Sequence, residues 1–293
     1  MPKRTSLIRK IIAVLVLAAT ATVFTTYYYH HHEVQEQLQN TQLSLLALLL
    51  GLYVLFVSSL ALINVATLQL SNAKLGARET ILLTIYSSII NFFGPLQSGP
   101  AFRAVYLKKK HGVNLQDYTA ATLLYYVFYA TVSGVLIMYG VIGIKIAPVF
   151  VMAALLLFLA SRKWPAALDR FKGLTPSSIA LLGFATSIQI GLLVIIYYVE
   201  LQSILTSVSL SQVVVYTGAA NFALFVSVTP GAIGFRESFL LFTEKLHHIA
   251  NDTIVVANTI DRSIYILLLV LLAAGLFGTH AQRAFTQYAK PKD

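Results

Sequence analysis

Six stretches of this chain run for ~20 residues or more, uncharged except for Lys145 in the fourth and Asp261 and Arg262 in the last: Ile11 to Tyr29, Leu43 to Leu70, Tyr118 to Tyr139, roughly Val141 to Ala160, Ser177 to Val199, and Ile254 to Phe277. In lipid every backbone N–H and C=O must be bonded within its own segment, so runs of this kind fold as spanning helices. Two shorter apolar stretches, Ile81 to Leu96 and Val213 to Val228, end in glycine and proline. Each leads into an amphipathic piece, Phe102 to His111 and Phe235 to Ala250. Short segments interrupted by glycine and proline read as re-entrant or broken helices. The expected fold is all-α and multi-pass, with about six full spans and two re-entrant or broken hairpins.

Composition closes off most alternatives. The 293 residues are 57% hydrophobic and 11% charged, which leaves no polar stretch for a soluble catalytic domain, so residues 1–293 read as one integral membrane domain. The absence of cysteine excludes disulfides, thiolate zinc sites and a cysteine nucleophile. His30, His31 and His32 point in different directions on any regular backbone, so a wet interfacial loop is favoured over a metal site, and no metal or cofactor is expected. The net charge of +10 sits in short clusters between apolar runs. Topology and anionic lipid explain it better than nucleic acid, which is not expected as a partner.

The first run follows Lys3, Arg4, Arg9 and Lys10 and enters Tyr27, Tyr28 and Tyr29 without a small-residue cleavage site, so a retained signal anchor over residues 11–29 is expected. Cytoplasmic loops collect Lys and Arg. If the six long runs span and each short pair returns to its own side, that N-terminal cluster shares the inside with Lys74, Arg78, Arg103, Lys108, Lys109 and Lys110. Arg162, Lys163, Arg170, Lys172, Arg283, Lys290 and Lys292 join them, making 17 of 21 basic residues. Lys145, Arg236 and Lys245 remain outside, and Arg262 lies within a span. Both termini are then cytoplasmic, and the two hairpins enter from opposite faces.

An inverted repeat of this kind predicts related residues in the two halves, about 43–160 and 177–279. Tyr86 to Phe92 reads YSSIINF, and Tyr216 to Phe222 reads YTGAANF, sharing a Tyr, a hydroxyl residue, Asn91 or Asn221, and a Phe. Downstream, Gly94, Pro95, Gly99 and Pro100 lead to Arg103, as Pro230, Gly231 and Gly234 lead to Arg236. A helix restarting after such a break presents free N–H groups and the positive end of its dipole, which favours an anion. Arginines in its first turn are unfavourable unless an anion or carboxylate is present, and a phosphate suits both. Pairing of Arg236 with Glu237 or Glu244, and membership of Arg103 in the cytoplasmic cluster, are the purely structural alternatives.

The last run carries Arg262 about 12 Å along the helix from Ile254, near the bilayer midplane. A charge there costs at least ~2.5 kcal/mol and needs a partner or a wet cavity. Asn258, Asp261, Arg262 and Tyr265 share one helix face. Tyr118, Thr122, Tyr125, Tyr126, Tyr129 and Ser133 form a matching uncharged stripe, for which interhelical hydrogen bonding is the favoured role.

Pro230 to Glu237, PGAIGFRE, followed by the span bearing Arg262, resembles the P-G-G-x-G-x-x-E signature of the flippase-like membrane domain of lysylphosphatidylglycerol synthases. The Asn91 to Leu107 stretch looks like its first-half counterpart, G-G-E-x-x-R. Ala232 stands for the second glycine, Pro100 for the first-half glutamate, and Tyr125 and Tyr126 for a Glu-Arg pair. The resemblance implies a bacterial cytoplasmic-membrane domain that moves phospholipid between leaflets, here standing alone without the soluble synthase domain. Membrane lipids are then the expected partners, association with a second copy stays open, and no enzyme activity is expected. Substrate-binding candidates are Asn91, Arg103, Asn221, Gly231, Gly234, Arg236, Glu237, Asp261 and Arg262. Transport of a small anion, a membrane enzyme acting on a lipid-linked substrate, and a non-transporting assembly partner are the alternatives.

Overall fold

The computed structural model describes residues 42–94, 98–143, 175–226, 230–232 and 235–288, with the single positions 26, 29 and 36. Every ordered element among them is helical. In chain order these are α1 (Leu43–Leu70), α2 (Ala77–Phe93), α3 (Ser98–His111), α4 (Leu115–Ile142), α5 (Pro176–Ile204) and α6 (Leu210–Val226). A 3-10 turn at Pro230–Ala232 precedes α7 (Phe235–Phe242), α8 (Glu244–His247) and α9 (Asn251–Tyr288).

The helix ends follow local chemistry. Asn114 caps α4 by accepting from the Gln116 N–H at 2.9 Å, and Thr175 accepts from the Ser178 N–H with Pro176 in the first turn of α5. The expected boundary near Gly140 moves: α4 continues to Ile142 and stops at Gly143. Likewise α5 continues past Val199, carrying Glu200 inside the helix.

Helices α1, α4, α5 and the Asn251–Leu276 part of α9 are long and apolar enough to cross a membrane. Val54, Leu55, Leu123, Val127, Phe184, Ile195 and Leu267 face outward from them, as lipid-exposed surfaces require. Most of the runs expected at 11–29 and 141–160, the three histidines and the loop around Arg162 that was expected on the cytoplasmic side lie outside the described residues.

The two short pairs are antiparallel hairpins. At the tip of the first, Asn91 Oδ1 accepts from the Gly99 N–H at 3.2 Å and Ser98 Oγ donates to the Ile90 carbonyl. At its base, Glu79 on α2 receives the Lys110 ammonium at 2.8 Å and the Tyr106 hydroxyl from α3. Both ends therefore lie on one side. The break differs from expectation: α3 begins at Ser98, with Gly99 and Pro100 in its first turn, and the Gly99 N–H is already bonded. In the second pair Gln212 donates to the His248 carbonyl at 3.2 Å, Tyr216 meets His247 edge-on, and Phe222 stacks on Phe239. The amphipathic piece expected from Phe235 to Ala250 is two helices separated at Thr243.

Packing uses small residues where backbones approach. A Cβ on Gly218 of α6 would lie 2.7 Å from the Ile137 nitrogen of α4, and one on Gly140 would lie 2.9 Å from Val215. Without a hydrophobic drive in lipid, such close van der Waals contact is what joins helices. The largest buried cluster gathers Leu49 and Tyr53 from α1, Ile196 and Tyr197 from α5, Tyr216 from α6, Leu240 from α7, and Ile254, Ile260 and Leu268 from α9.

Candidate functional site

A cavity of about 220 Å³ lies where the two hairpin tips meet α1, α4, α5 and α9. Gly231 forms part of its wall with φ 56° and ψ 15°, a left-handed conformation that glycine adopts without penalty. A Cβ there would also lie 3.0 Å from Arg262 Nη1 and 3.1 Å from the Phe92 ring, so the tips of the two hairpins touch at this point. Ala232 follows with φ 58°. The position where the related signature has glycine thus keeps a glycine-like backbone while carrying a methyl group.

Three arginines line the cavity: Arg103 from α3, Arg236 from α7 and Arg262 from α9. Arg236 and Arg262 are almost wholly buried, at 3% and 5% exposure. Neither arginine pairs with the carboxylate next to it in the chain. Asp261 does not serve its neighbour Arg262; its Oδ2 is bound by Arg236 Nη1, and its Oδ1 accepts the Tyr53 hydroxyl from α1. Arg262 lies 3.7 Å from Glu237. The reason is directional: adjacent residues on a helix diverge by about 100°, so Asp261 and Arg262 reach different neighbours. Arg236 also places its guanidinium 4.9 Å from the centre of the Tyr197 ring.

Arg103 differs from the other two. It donates to Asn64 Oδ1 of α1, and Asn64 in turn donates to Thr84 of α2 at 2.6 Å. No carboxylate pairs with it among the described residues, in keeping with Pro100 standing where the related signature has glutamate. Five guanidinium nitrogens have no hydrogen-bond acceptor: Nε of all three arginines and Nη2 of Arg236 and Arg262. A buried N–H left without an acceptor costs ~1–3 kcal/mol.

The other candidates divide. Asn91 lines the cavity and holds α3 through Gly99. Asn221 is fully buried away from the lining, and neither atom of its amide has a partner. Gly234 lies outside the described residues. The tyrosine stripe supplies the expected interhelical bonding at one point, where the Tyr125 hydroxyl donates to Gln189 of α5 at 3.0 Å, and Tyr125, Tyr126 and Tyr129 also form part of the cavity wall. Tyr53, Asn64, Gln189, Tyr197 and Glu200 escaped the sequence reading. Their signal is a polar group inside an apolar run, and Glu200 fell just beyond the uncharged stretch that ended at Val199.

Outside the spans, the Lys110 ammonium, the Tyr106 hydroxyl and His111 hold the Glu79 carboxyl down at about 2, which keeps the base of the first hairpin clasped near neutral pH. His247, fully buried at the base of the second, accepts from the Ile249 N–H at Nδ1 and faces the Leu240 carbonyl through Nε2 at 3.0 Å. Burial pushes its pKa below the ordinary value.

Spanning helices, two broken hairpins and a buried cavity lined by arginines together define a multi-pass membrane domain. The family model described as the lysylphosphatidylglycerol synthase TM region matches residues 11–273, and the chain belongs to that family, which carries a membrane lipid-related role. No curated protein sequence matches the chain.

Proposed function

We propose that this protein is a lipid translocator, moving a phosphate-bearing lipid between the leaflets of a bacterial cytoplasmic membrane. The observation that carries the reading is Arg103: a cation lining an intramembrane cavity, without a carboxylate, beside two further arginines that have N–H groups to spare. A phosphate accepts from guanidinium groups in paired, charge-assisted hydrogen bonds, and its charge offsets the excess of three arginines over Asp261 and Glu237. The headgroup occupies the cavity while its acyl chains stay in the bilayer. Asp261 and Glu237 hold Arg236 and Arg262 when the cavity is empty.

The matched Tyr-Ser/Thr and Asn-Phe motifs and the distribution of basic residues support an inverted arrangement of the hairpins with both termini cytoplasmic. The role is movement and not chemical conversion of the lipid.

The test is reconstitution in liposomes containing phosphatidylglycerol with a fluorescent acyl chain, read by accessibility of the outer leaflet to a quencher over time. The parent protein should equilibrate the label across the bilayer, and Arg103→Ala should slow it at least tenfold. Uptake of inorganic phosphate, measured in the same vesicles, separates a solute transporter from a lipid translocator. Lipid movement unaffected by Arg103→Ala in a folded protein would sink the reading.

A further inference from the structure

The cavity wall is unbalanced in charge. Arg103, Arg236 and Arg262 contribute three guanidiniums, and Asp261 is the one carboxylate in the wall among the described residues. Both its oxygens are engaged, Oδ1 by the Tyr53 hydroxyl and Oδ2 by Arg236 Nη1. Glu237 lies 3.7 Å from Arg262 and outside the wall, and with it counted the arginines still outnumber the carboxylates. The amide oxygens of the wall are committed in the same way. Asn91 Oδ1 accepts from the Gly99 N–H at 3.2 Å, and Gln189 Oε1 accepts from the Tyr125 hydroxyl at 3.0 Å. Arg103 donates to Asn64, a neutral partner.

Such a wall treats the two charged groups of a zwitterionic lipid differently. A phosphate diester brings one negative charge and acceptor oxygens only, which match a surplus of guanidinium groups. An ammonium brings a positive charge and three donors, and the one carboxylate of the wall is already held by two donors. Aromatic faces are the other seat for a cation. Two of them face guanidiniums, Tyr197 with Arg236 at 4.9 Å and Phe92 with Arg262 at 6.0 Å. The rings of Tyr125, Tyr126 and Tyr129 remain, but attraction to a ring reaches only ~6 Å. Repulsion between buried charges is screened far less than in bulk water and acts across the whole of a cavity of about 220 Å³.

We propose that this cavity sorts lipids by headgroup charge: it accepts a phosphate headgroup whose other groups are neutral and rejects one that carries an ammonium. The sorting rests on the lipid reading for the phosphate itself and adds which headgroup is allowed to follow it. Pro100 offers the means to change the balance. It lines the cavity in the first turn of α3, three residues before Arg103 and so on the same helix face. A carboxylate at that position would face Arg103 and cancel one surplus charge, at the end of the helix where the dipole favours it.

The experiment measures binding and movement separately on the full chain. Binding is read in a neutral detergent as the shift in thermal unfolding with dihexanoyl phosphatidylglycerol, dihexanoyl phosphatidylethanolamine or glycerol phosphate. The parent should bind the phosphatidylglycerol at least tenfold more tightly than the phosphatidylethanolamine. Pro100→Glu should narrow that ratio to about threefold or less. Arg103→Gln removes the same charge without placing a carboxylate and should also narrow it, which keeps the test open if the glutamate variant does not fold. Lys109→Gln takes one charge from the exposed end of α3, outside the cavity wall, and should leave the ratio unchanged. Equal binding of the two lipids by the parent, or a ratio that Lys109→Gln narrows as much as Pro100→Glu, would overturn the sorting. Glycerol phosphate bound as tightly as the phosphatidylglycerol would overturn it for lipids and assign the site to a soluble anion. Movement is then read in liposomes carrying the same two headgroups on fluorescent acyl chains. Selective binding without movement of either lipid leaves the sorting standing and is a failure of the translocator reading alone.

Discussion

The Tyr53 hydroxyl donates to Asp261, joining α1 to α9 across 208 positions of sequence, and it takes the carboxylate oxygen that Arg236 leaves free. Asp261 is thus held from two helices at once. Tyr53→Phe removes one donor while preserving the ring packed on Tyr265. The expected loss of stability is about 1.5–3 kcal/mol, the range for a hydrogen bond to a charged group, measured by denaturation in detergent. A change below the error of the measurement would show that Arg236 alone suffices.

The pairing of Asp261 with Arg236 makes Arg236 matter more for folding than Arg262. Arg236→Ala strands Asp261 in a buried position with Tyr53 as its remaining donor, and should cost about 3–5 kcal/mol. Arg262→Ala leaves Asp261 held by Arg236 and Tyr53 and removes the ion-pair partner of Glu237, whose side chain is 28% exposed and not buried. Its stability cost should be clearly smaller. Parallel thermal unfolding of the two variants tests the order. Arg236→Lys should fold yet move lipid more slowly, because an ammonium lacks the planar fork.

Those pairings also mark the limit of the sequence. Long uncharged runs announce spans through length alone, and Gly-Pro breaks announce hairpins because backbone groups in lipid cannot be left open. Arg262 was legible as a costly charge within a span, and Arg103 and Arg236 as first-turn arginines after a break that need an anion or carboxylate. Which carboxylate meets which arginine was not, since it depends on how α7 is rotated against α9. Tyr53 and Asn64 were hidden for a related reason: a hydroxyl or amide in an apolar helix is ordinary until its neighbour is known to be Asp261 or Arg103.

Arg103 should separate binding from stability. Its removal leaves Asn64 bonded to Thr84, so Arg103→Ala should lower stability by about 1 kcal/mol or less, while lipid movement falls at least tenfold. Unfolding and transport measured on one preparation give both values.

Ala232 sits at φ 58°, where a Cβ costs roughly 1–2 kcal/mol that glycine avoids, partly offset by the greater freedom of glycine in the unfolded chain. Ala232→Gly should therefore raise stability by up to about 1 kcal/mol. Ala232→Val should lower it, because a β-branched residue is least tolerant of that backbone. Melting temperatures of the pair decide the sign.

His247 predicts a pH dependence. Its folded pKa lies below the ordinary 6.5, so below that pH the unfolded chain binds more protons than the folded one. Stability from this residue is complete above pH 6.5 and is lost as pH falls. A substitution such as His247→Gln should flatten the profile between pH 7 and 5.5, read by thermal unfolding.

Where Gly231 meets Phe92, the two hairpins are separated by a single aromatic ring lying against a bare α-carbon. The partition at that point is one side chain thick. Phe92 is itself buried against Phe93 and Tyr265, so the tightness of this seam is set by how three rings pack together. A methyl group at 231 would press on that ring and on Arg262 together, thickening the partition and disturbing the charge behind it in the same stroke.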